Sequence, residues 1–342
     1  VKINGGLVKI TGVASSLTAT GSIQQVLSSV VAAIPNSWTL HSTTWNADSK
    51  YPRAVTLYEQ RLQLAGSPGY PQTVWGSRIG DTLNFEPGTK DDDAYAYEVS
   101  TSIIAPIQHL ANASRLMVFT NFNEMSLRGG VEKPITPTSL QKKDESTAGA
   151  NIVRPVKVGN ELLFVQRAGK KVRALGYRYD IDGFDAPDRT VFSEHITGAG
   201  IIDMTFQQEP DAQLYCVRAD GQMAVCTYNM EQEVTAWGRW ITDGVVESVA
   251  SIPTSDSEQT WLVVRRTVGG VQKRFVEFFD PTLKTDSAVT ATDETAKATW
   301  DGLDHLNGKT VQALADGVYQ GTFTVAAGAV TLPRNANAVE FG

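Results

Sequence analysis

Apolar and polar residues alternate along most of this chain in short runs broken by glycine-rich turns, the period of half-buried strands rather than helices. One segment departs from that pattern. Ile23, Val26, Leu27 and Val30 fall at helical spacing behind Ser22 as an N-cap, which predicts a helix over residues 23–33. Elsewhere hairpin-like units recur: 116–120 with 124–129, then 162–166 turning at Ala168-Gly169 into 171–175. The stretch 214–218 turns at Asp220-Gly221 into 223–227, and 261–265 turns at Gly269-Gly270 into 273–277. An earlier unit, 62–66 with 73–77, has the same layout around a longer loop. A further apolar stretch precedes four of them (103–110, 153–158, 201–206 and 245–252), and 236–241 follows one.

The repeat of about 45 residues lies in the range of radial four-stranded blades. A lone hairpin cannot bury its apolar face, whereas a ring of blades can, and closure leaves few free edges. The expected fold is therefore all-β: a β-propeller of about five to six blades over residues 47–283, with a small flanking β-domain. Two stacked β-sandwiches would show similar strands and turns. The flanks are residues 1–46, with a strand pair at 7–13 and 18–22, and 298–342, with 308–314, a turn at Asp316-Gly317, and strands 321–325 and 329–332. They are expected to pack together as one domain into which the propeller is inserted, with the Thr-, Ala- and Asp-rich stretch 284–297 as a linker.

At 342 residues and 42% hydrophobic content the chain can bury a large core. No apolar run approaches the ~18 residues of a membrane span, and no basic-then-apolar leader is visible. The start at Val1-Lys2-Ile3 without Met, and the abrupt stop at Phe341-Gly342, read as the ends of a fragment. The net charge of −7 argues against a phosphate-gripping nucleic-acid binder. The densest basic stretches, 167–178 and 265–274, are hairpin-like and read as solvated strand faces.

Cys216 and Cys226 flank the Asp220-Gly221 turn. With a two-residue type I′ loop, Cys216 pairs opposite Val225, the sulfurs point to opposite faces, and both thiols stay free. No zinc spacing accompanies them. Asp91-Asp92-Asp93 reads as a solvated loop, and Asp180-Ile181-Asp182-Gly183 resembles the start of a calcium loop whose glycine comes too early. A propeller glycosidase would need two carboxylates across a pocket. Asp203, Glu209, Asp243 and Glu247 are candidates, although their spacing shows no convergence. Neither a Gly-x-Ser-x-Gly elbow nor a His-Glu-x-x-His helix occurs. Gly76-Ser77-Arg78-Ile79-Gly80-Asp81 lacks the Lys-Ser/Thr of a phosphate loop. Of the histidines 41, 109, 195 and 305, His109 and His195 sit beside apolar segments and read as structural. Trp237, Trp240 and Trp261 read as packing between blades, with sugar stacking second.

Tyr51-Pro52-Arg53-Ala54-Val55, Glu59-Gln60-Arg61-Leu62 and Ala65-Gly66-Ser67 resemble the opening of the central region in phage tail nozzle proteins, the tail-tubular-protein-B-like group of short-tailed phages and prophages. Val74-Trp75-Gly76-Ser77, Gly80-Asp81, Asn84-Phe85, the Asp91 run, Leu116 to Thr120 with Glu124, and Gly159-Asn160 before Leu163 follow in the same order. So do Trp237 with Thr242-Asp243-Gly244, and Gly302-Leu303-Asp304-His305-Leu306 with Gly308-Lys309-Thr310-Val311. The likeness spans most of residues 50–320. It implies a virion structural protein of the tail, not an enzyme: a ring, hexameric in the full-length protein, that contacts adjacent tail tube and fibre proteins and passes DNA without tight binding. It implies no catalytic residues; no cofactor or metal residues and no membrane insertion are expected either, and the chain is expected to be made in the bacterial host cytoplasm. The alternative is a propeller glycosidase or lectin acting on cell-surface glycan.

Overall fold

The computed structural model describes residues 1–29, 31, 37–38, 45–46, 50–99, 103–130 and 133–342. They form two compact units, Val1–Pro52 with Ser67–Tyr70, and Arg53–Gly66 with Pro71–Gly342.

The first unit contains a three-stranded antiparallel sheet, Lys2–Ile3, Gly6–Ser15 and Thr18–Gln25. The two-residue loop Asn4-Gly5 has positive φ at both positions (46° and 67°), as a type I′ turn demands. The expected helix is corrected here. Ile23 pairs with Val8 and continues the third strand, because its ladder with the second strand satisfies backbone groups that an isolated short helix would leave open. Residues 26–29 and 31 carry no helix, and 30, 32 and 33 lie outside the described residues.

The second unit is a β-propeller of five successive sheets, each an antiparallel meander in sequence order, followed by a separate sheet. Blade 1 is Ala54–Tyr58, Arg61–Ala65, Thr73–Gly76 and Tyr95–Glu98. Blade 2 is Ile107–Asn112, Leu116–Thr120, Glu124–Arg128 and Gln141–Ser146. Blade 3 is Val156–Val158, Glu161–Val165, Val172–Arg178 and Gly183–Asp185. Blade 4 is Ile201–Gln207, Gln213–Arg218, Met223–Asn229 and Val234–Trp240. Blade 5 has three strands, Val245–Pro253, Glu258–Val268 and Val271–Phe278.

Blades stack face to face, so their middle strands are covered on both sides and lose the simple alternation of a half-solvated sheet. Leu116 to Thr120 is buried at every position for this reason. Leu116 and Val118 face blade 1 with Ile107, Val74 and Ala65, whereas Met117 and Phe119 face blade 3 with Leu162, Phe164 and Leu175. Leu163, Val165 and Ala174 then pack on Met204, Leu214 and Cys216 of blade 4. Tyr215 and Val217 pack on Val246, Leu262 and Val264 of blade 5.

The hairpin carrying the cysteines differs from expectation by one residue. Gly221 has φ 81°, Gly221 N–H donates to Arg218 O, and Arg218 N–H donates to Gln222 O, so the loop is a three-residue turn with a glycine bulge. The register becomes Cys216↔Ala224 and Leu214↔Cys226. Both sulfurs therefore lie on one face as diagonal neighbours, not on opposite faces. They are free and buried, since a diagonal Cα separation of roughly 7–8 Å is too long for a disulfide.

The C-terminal sheet has the order Val289–Trp300, Val330–Phe341, Thr310–Ala315, Val318–Thr324, around Trp300, Leu303, Val311 and Phe341. Its first strand begins inside the stretch expected as a linker, whose β-branched Val289, Thr290 and Thr292 pair with Phe341, Glu340 and Ala338.

Candidate active site

One end of blade 3 opens a cleft of about 550 Å³, lined by Lys157, Asn160, Glu161, Gly176, Arg178 and Asp185 among others. Its geometry follows from the strand register. Gly159, φ 55°, opens the two-residue loop Gly159-Asn160 that sets Glu161 as the first residue of the second strand, paired with Val158. Glu161 pairs with Gly176, and Gly176 pairs with Asp185. Directly opposed residues share a face, so the two carboxylates stand on the same side of the blade with a glycine between them. Two strand spacings put their Cα atoms about 9–10 Å apart. The Glu161 side chain folds over the glycine: a Cβ at Gly176 would lie 3.2 Å from its Cγ and 3.3 Å from Oε1.

Blade 4 and the segment leading into it fix Glu161. The Tyr228 hydroxyl donates to Oε2, and Arg189 Nη2 donates to Oε1 at 3.0 Å. The Arg189 guanidinium lies 5.6 Å from the Tyr228 ring centroid, and its carbonyl accepts Trp237 Nε1–H at 2.8 Å. Burial, and then the Glu161 carboxylate, raise the Tyr228 phenol well above its ordinary pKa. Asp185 is more open: Oδ1 accepts the Ala186 amide at 2.8 Å and Oδ2 lies 3.4 Å from Arg178. Arg178 is also bidentate to Asp180.

Blade 2 holds Asp185 in place through Glu145, whose side chain is 1% exposed. Glu145 accepts the Phe184 amide at 3.1 Å, the Ser126 hydroxyl at 2.6 Å and Arg115 at 3.3 Å. Arg115 in turn covers the Tyr177 and Phe184 rings.

Three of the four carboxylates considered from sequence have partners of their own. Asp203 accepts Ser248 Oγ at 2.8 Å and the Val249 amide at 3.1 Å. Asp243 pairs with Lys309 at 2.7 Å, and Glu247 with Arg265 and Arg274 at 2.9 and 2.6 Å. The side chain of Glu209 enters none of these contacts, and its carbonyl accepts the Glu258 amide at 3.2 Å.

Asp91-Asp92-Asp93 is more than a solvated loop. Its carbonyls, with that of Ser77, surround the guanidinium of Arg61, which is 0% exposed. Desolvation pulls the Arg61 pKa down, and the Tyr95 ring lies 5.3 Å from it. Ser77 belongs to the same structure, accepting the Leu62 amide at 2.9 Å. Asp180 and Asp182 are tied to Arg178 and Tyr177. Among the described residues no group of three or more His, Cys, Asp or Glu is placed to hold a metal, and no helix is long and apolar enough to cross a membrane.

His109 is half-buried against Asn151 O at 3.1 Å, and burial lowers its pKa. His195 lies on the short helix Glu194–Thr197, and His41 lies outside the described residues. Trp240 packs edge-on against Phe279, Trp261 packs at a 42° tilt against Phe278, and none of the three tryptophans lines the cleft.

No family model matches the chain, and no curated protein matches it. Solved structures with similarity include a candidate 6-phosphogluconolactonase of Bacteroides fragilis, at TM-score 0.39 and 12% identity over 68% of this chain and 74% of that one. A luciferin-regenerating enzyme gives TM-score 0.29 and 11% identity over 68% and 92%. A protein from Lactobacillus plantarum gives 0.40 and 11% over 94% and 92%. At these values they carry no argument about substrate. None of these three is named as a tail protein, two carry enzyme names, and no sequence match ties the chain to tail nozzles. The expectation of a non-enzymatic phage tail structural protein is corrected on that finding. The ring assembly, tail partners and virion location rested on the same resemblance.

Proposed function

We propose that the chain is a β-propeller glycoside hydrolase whose catalytic pair is Glu161 and Asp185. The observation that carries this is the placement of both carboxylates on one face of blade 3, in register across Gly176, in an open cleft. Two carboxyl groups flanking a glycosidic bond are the minimum constellation for its hydrolysis, and a wide separation leaves room for water between one of them and the anomeric carbon. Glu161, oriented by Tyr228 and Arg189, takes a proton from that water as its oxygen bonds to the anomeric carbon. Asp185, the more open group, gives a proton to the departing oxygen as the glycosidic bond breaks. Solvent then restores both protonation states. Arg178, Lys157 and Asn160 supply donors for sugar hydroxyls around the pair.

The test is release of reducing ends from a panel of bacterial and plant glycans by the native chain, by Glu161→Gln and by Asp185→Asn. Release that both variants lose, with unchanged melting temperatures, supports the assignment. Binding without turnover by the native chain makes the cleft a lectin site, and activity retained by both variants removes the pair from the chemistry.

A further inference from the structure

Blade 5 stops one strand short of its neighbours. Its last strand, Val271–Phe278, pairs with Glu258–Val268 on one edge and has no strand on the other among the described residues. The hairpin determines which groups face outward. Gly269 and Gly270, with φ 59° and 79°, form a two-residue loop closed by the pair Val268↔Val271. Val271, Lys273, Phe275 and Glu277 therefore turn their backbone N–H and C=O toward the neighbouring strand, and Gln272, Arg274, Val276 and Phe278 turn theirs away from it. Along this free edge Val276 is 70% exposed and Phe278 43%. An edge of eight residues with uncovered apolar side chains is a template for strand addition.

We propose that this edge takes the same strand of a second copy of the chain, antiparallel, across a two-fold axis through Phe275. An antiparallel self-pair must set outward-facing backbone against outward-facing backbone, so the axis passes through one residue and not between two. With the axis at Phe275, Lys273 stands opposite Glu277 of the second copy, twice by symmetry, and the two Phe275 rings oppose each other. Moving the axis to Arg274 sets two guanidinium groups directly opposite. Moving it to Val276 sets Phe275 against Glu277 and leaves Lys273 facing Phe279. Opposite charges and aromatic pairs across a ladder stabilise it, and like charges destabilise it, so the sequence selects the Phe275 axis. The Lys273 charge is uncommitted, and that of Glu277 is held in place. Glu277 is oriented by Arg266 through two bonds of 2.7 Å, and the Lys273 side chain makes no ion pair or hydrogen bond within its own chain among the described residues. The two blades then form one continuous six-stranded sheet.

Sedimentation velocity over a concentration series, with three variants of the 342-residue chain, tests the proposal. Native protein is expected to pass from monomer to dimer as concentration rises. Val276→Pro removes an outward N–H and leaves the ladder to Glu258–Val268 intact, so the dimer should disappear while the melting temperature holds. Phe275→Cys should form a disulfide-linked dimer under mild oxidation at least tenfold faster than Tyr179→Cys, an exposed control distant in sequence. The native cysteines are buried and do not compete. A native chain that stays monomeric, a dimer that survives Val276→Pro, or equal cross-linking of the two cysteine variants overturns the proposal. Should Val276→Pro fail to fold, the cross-linking rates decide.

Discussion

Glu161 and Asp185 are each bridged to an arginine on the same face of blade 3, Glu161 to Arg189 at 3.0 Å and Asp185 to Arg178 at 3.4 Å, with only Gly176 between them. The glycine is what leaves the two side chains a shared space. Its φ is not in the left-handed region, so its role is room and not backbone freedom.

Gly176→Ala should therefore damage the site more than the fold. The new methyl would crowd Glu161 Cγ and Oε1 at 3.2–3.3 Å and push the carboxyl aside. Displacement of about an ångström costs on the order of 10²-fold in rate, while the stability change should stay within about 1 kcal/mol. Turnover and urea midpoints measured on the same preparation check both halves.

Glu124 makes the stability of the propeller depend on pH. It is 0% exposed, and neither carboxyl oxygen reaches a partner in hydrogen-bonding geometry, although Ser146 and the amides of Ala148 and Gly149 lie near. Burial pushes its pKa from 4.5 up to about 7 against the pull of those groups and of Arg173. The native state then holds a proton that the unfolded chain releases near pH 4.5, so the stability contribution is complete below that value and is lost as pH rises through about 7. Unfolding free energies from urea titrations at pH 5 and pH 8 should differ by on the order of 1–3 kcal/mol for the native chain. Glu124→Gln should abolish that contribution; an unchanged difference in the variant would contradict the assignment.

The strands were legible because stacked blades demand apolar runs such as Leu116 to Phe119, and glycines such as Gly169, Gly221 and Gly269-Gly270 mark hairpin turns. The candidate pair was not legible. Glu161 and Asp185 are 24 positions apart and meet only through a register that depends on where two loops begin and end. The turn Gly159-Asn160 directly before Glu161 was the available signal. The cysteine register failed for a related cause, since one bulge residue at Gly221 exchanges the faces of a whole strand. Arg61 gave no sign of burial either, because the carbonyls that surround it come from residues 77 and 91–93.

Gly221→Ala should destabilise the chain by about 1–3 kcal/mol. Its φ of 81° disfavours a side chain, and a Cβ would meet Val245 Cγ1 at 2.7 Å. Asp220→Ala should cost less, since Asp220 does not lie at positive φ. Equal melting temperatures for the two variants would contradict the bulged loop.

Native Cys216 and Cys226 should resist alkylation at pH 8. Burial raises Cys216 well above its ordinary pKa and Cys226 to about 12, which leaves almost no thiolate. Intact mass after iodoacetamide should show no adduct on the folded chain and two adducts in denaturant; rapid labelling of the folded chain would contradict the burial.

The most direct test of the catalytic pair is the anomeric configuration of the first sugar released, read by proton NMR before mutarotation. A carboxylate that activates water for attack on the anomeric carbon gives inversion, whereas one that bonds to that carbon itself gives retention. The expected result is a product of inverted configuration from the native chain and none from Glu161→Gln. A product of retained configuration, or release that persists in Glu161→Gln, would contradict the assignment of Glu161 and Asp185 as a water-activating base and an acid across Gly176.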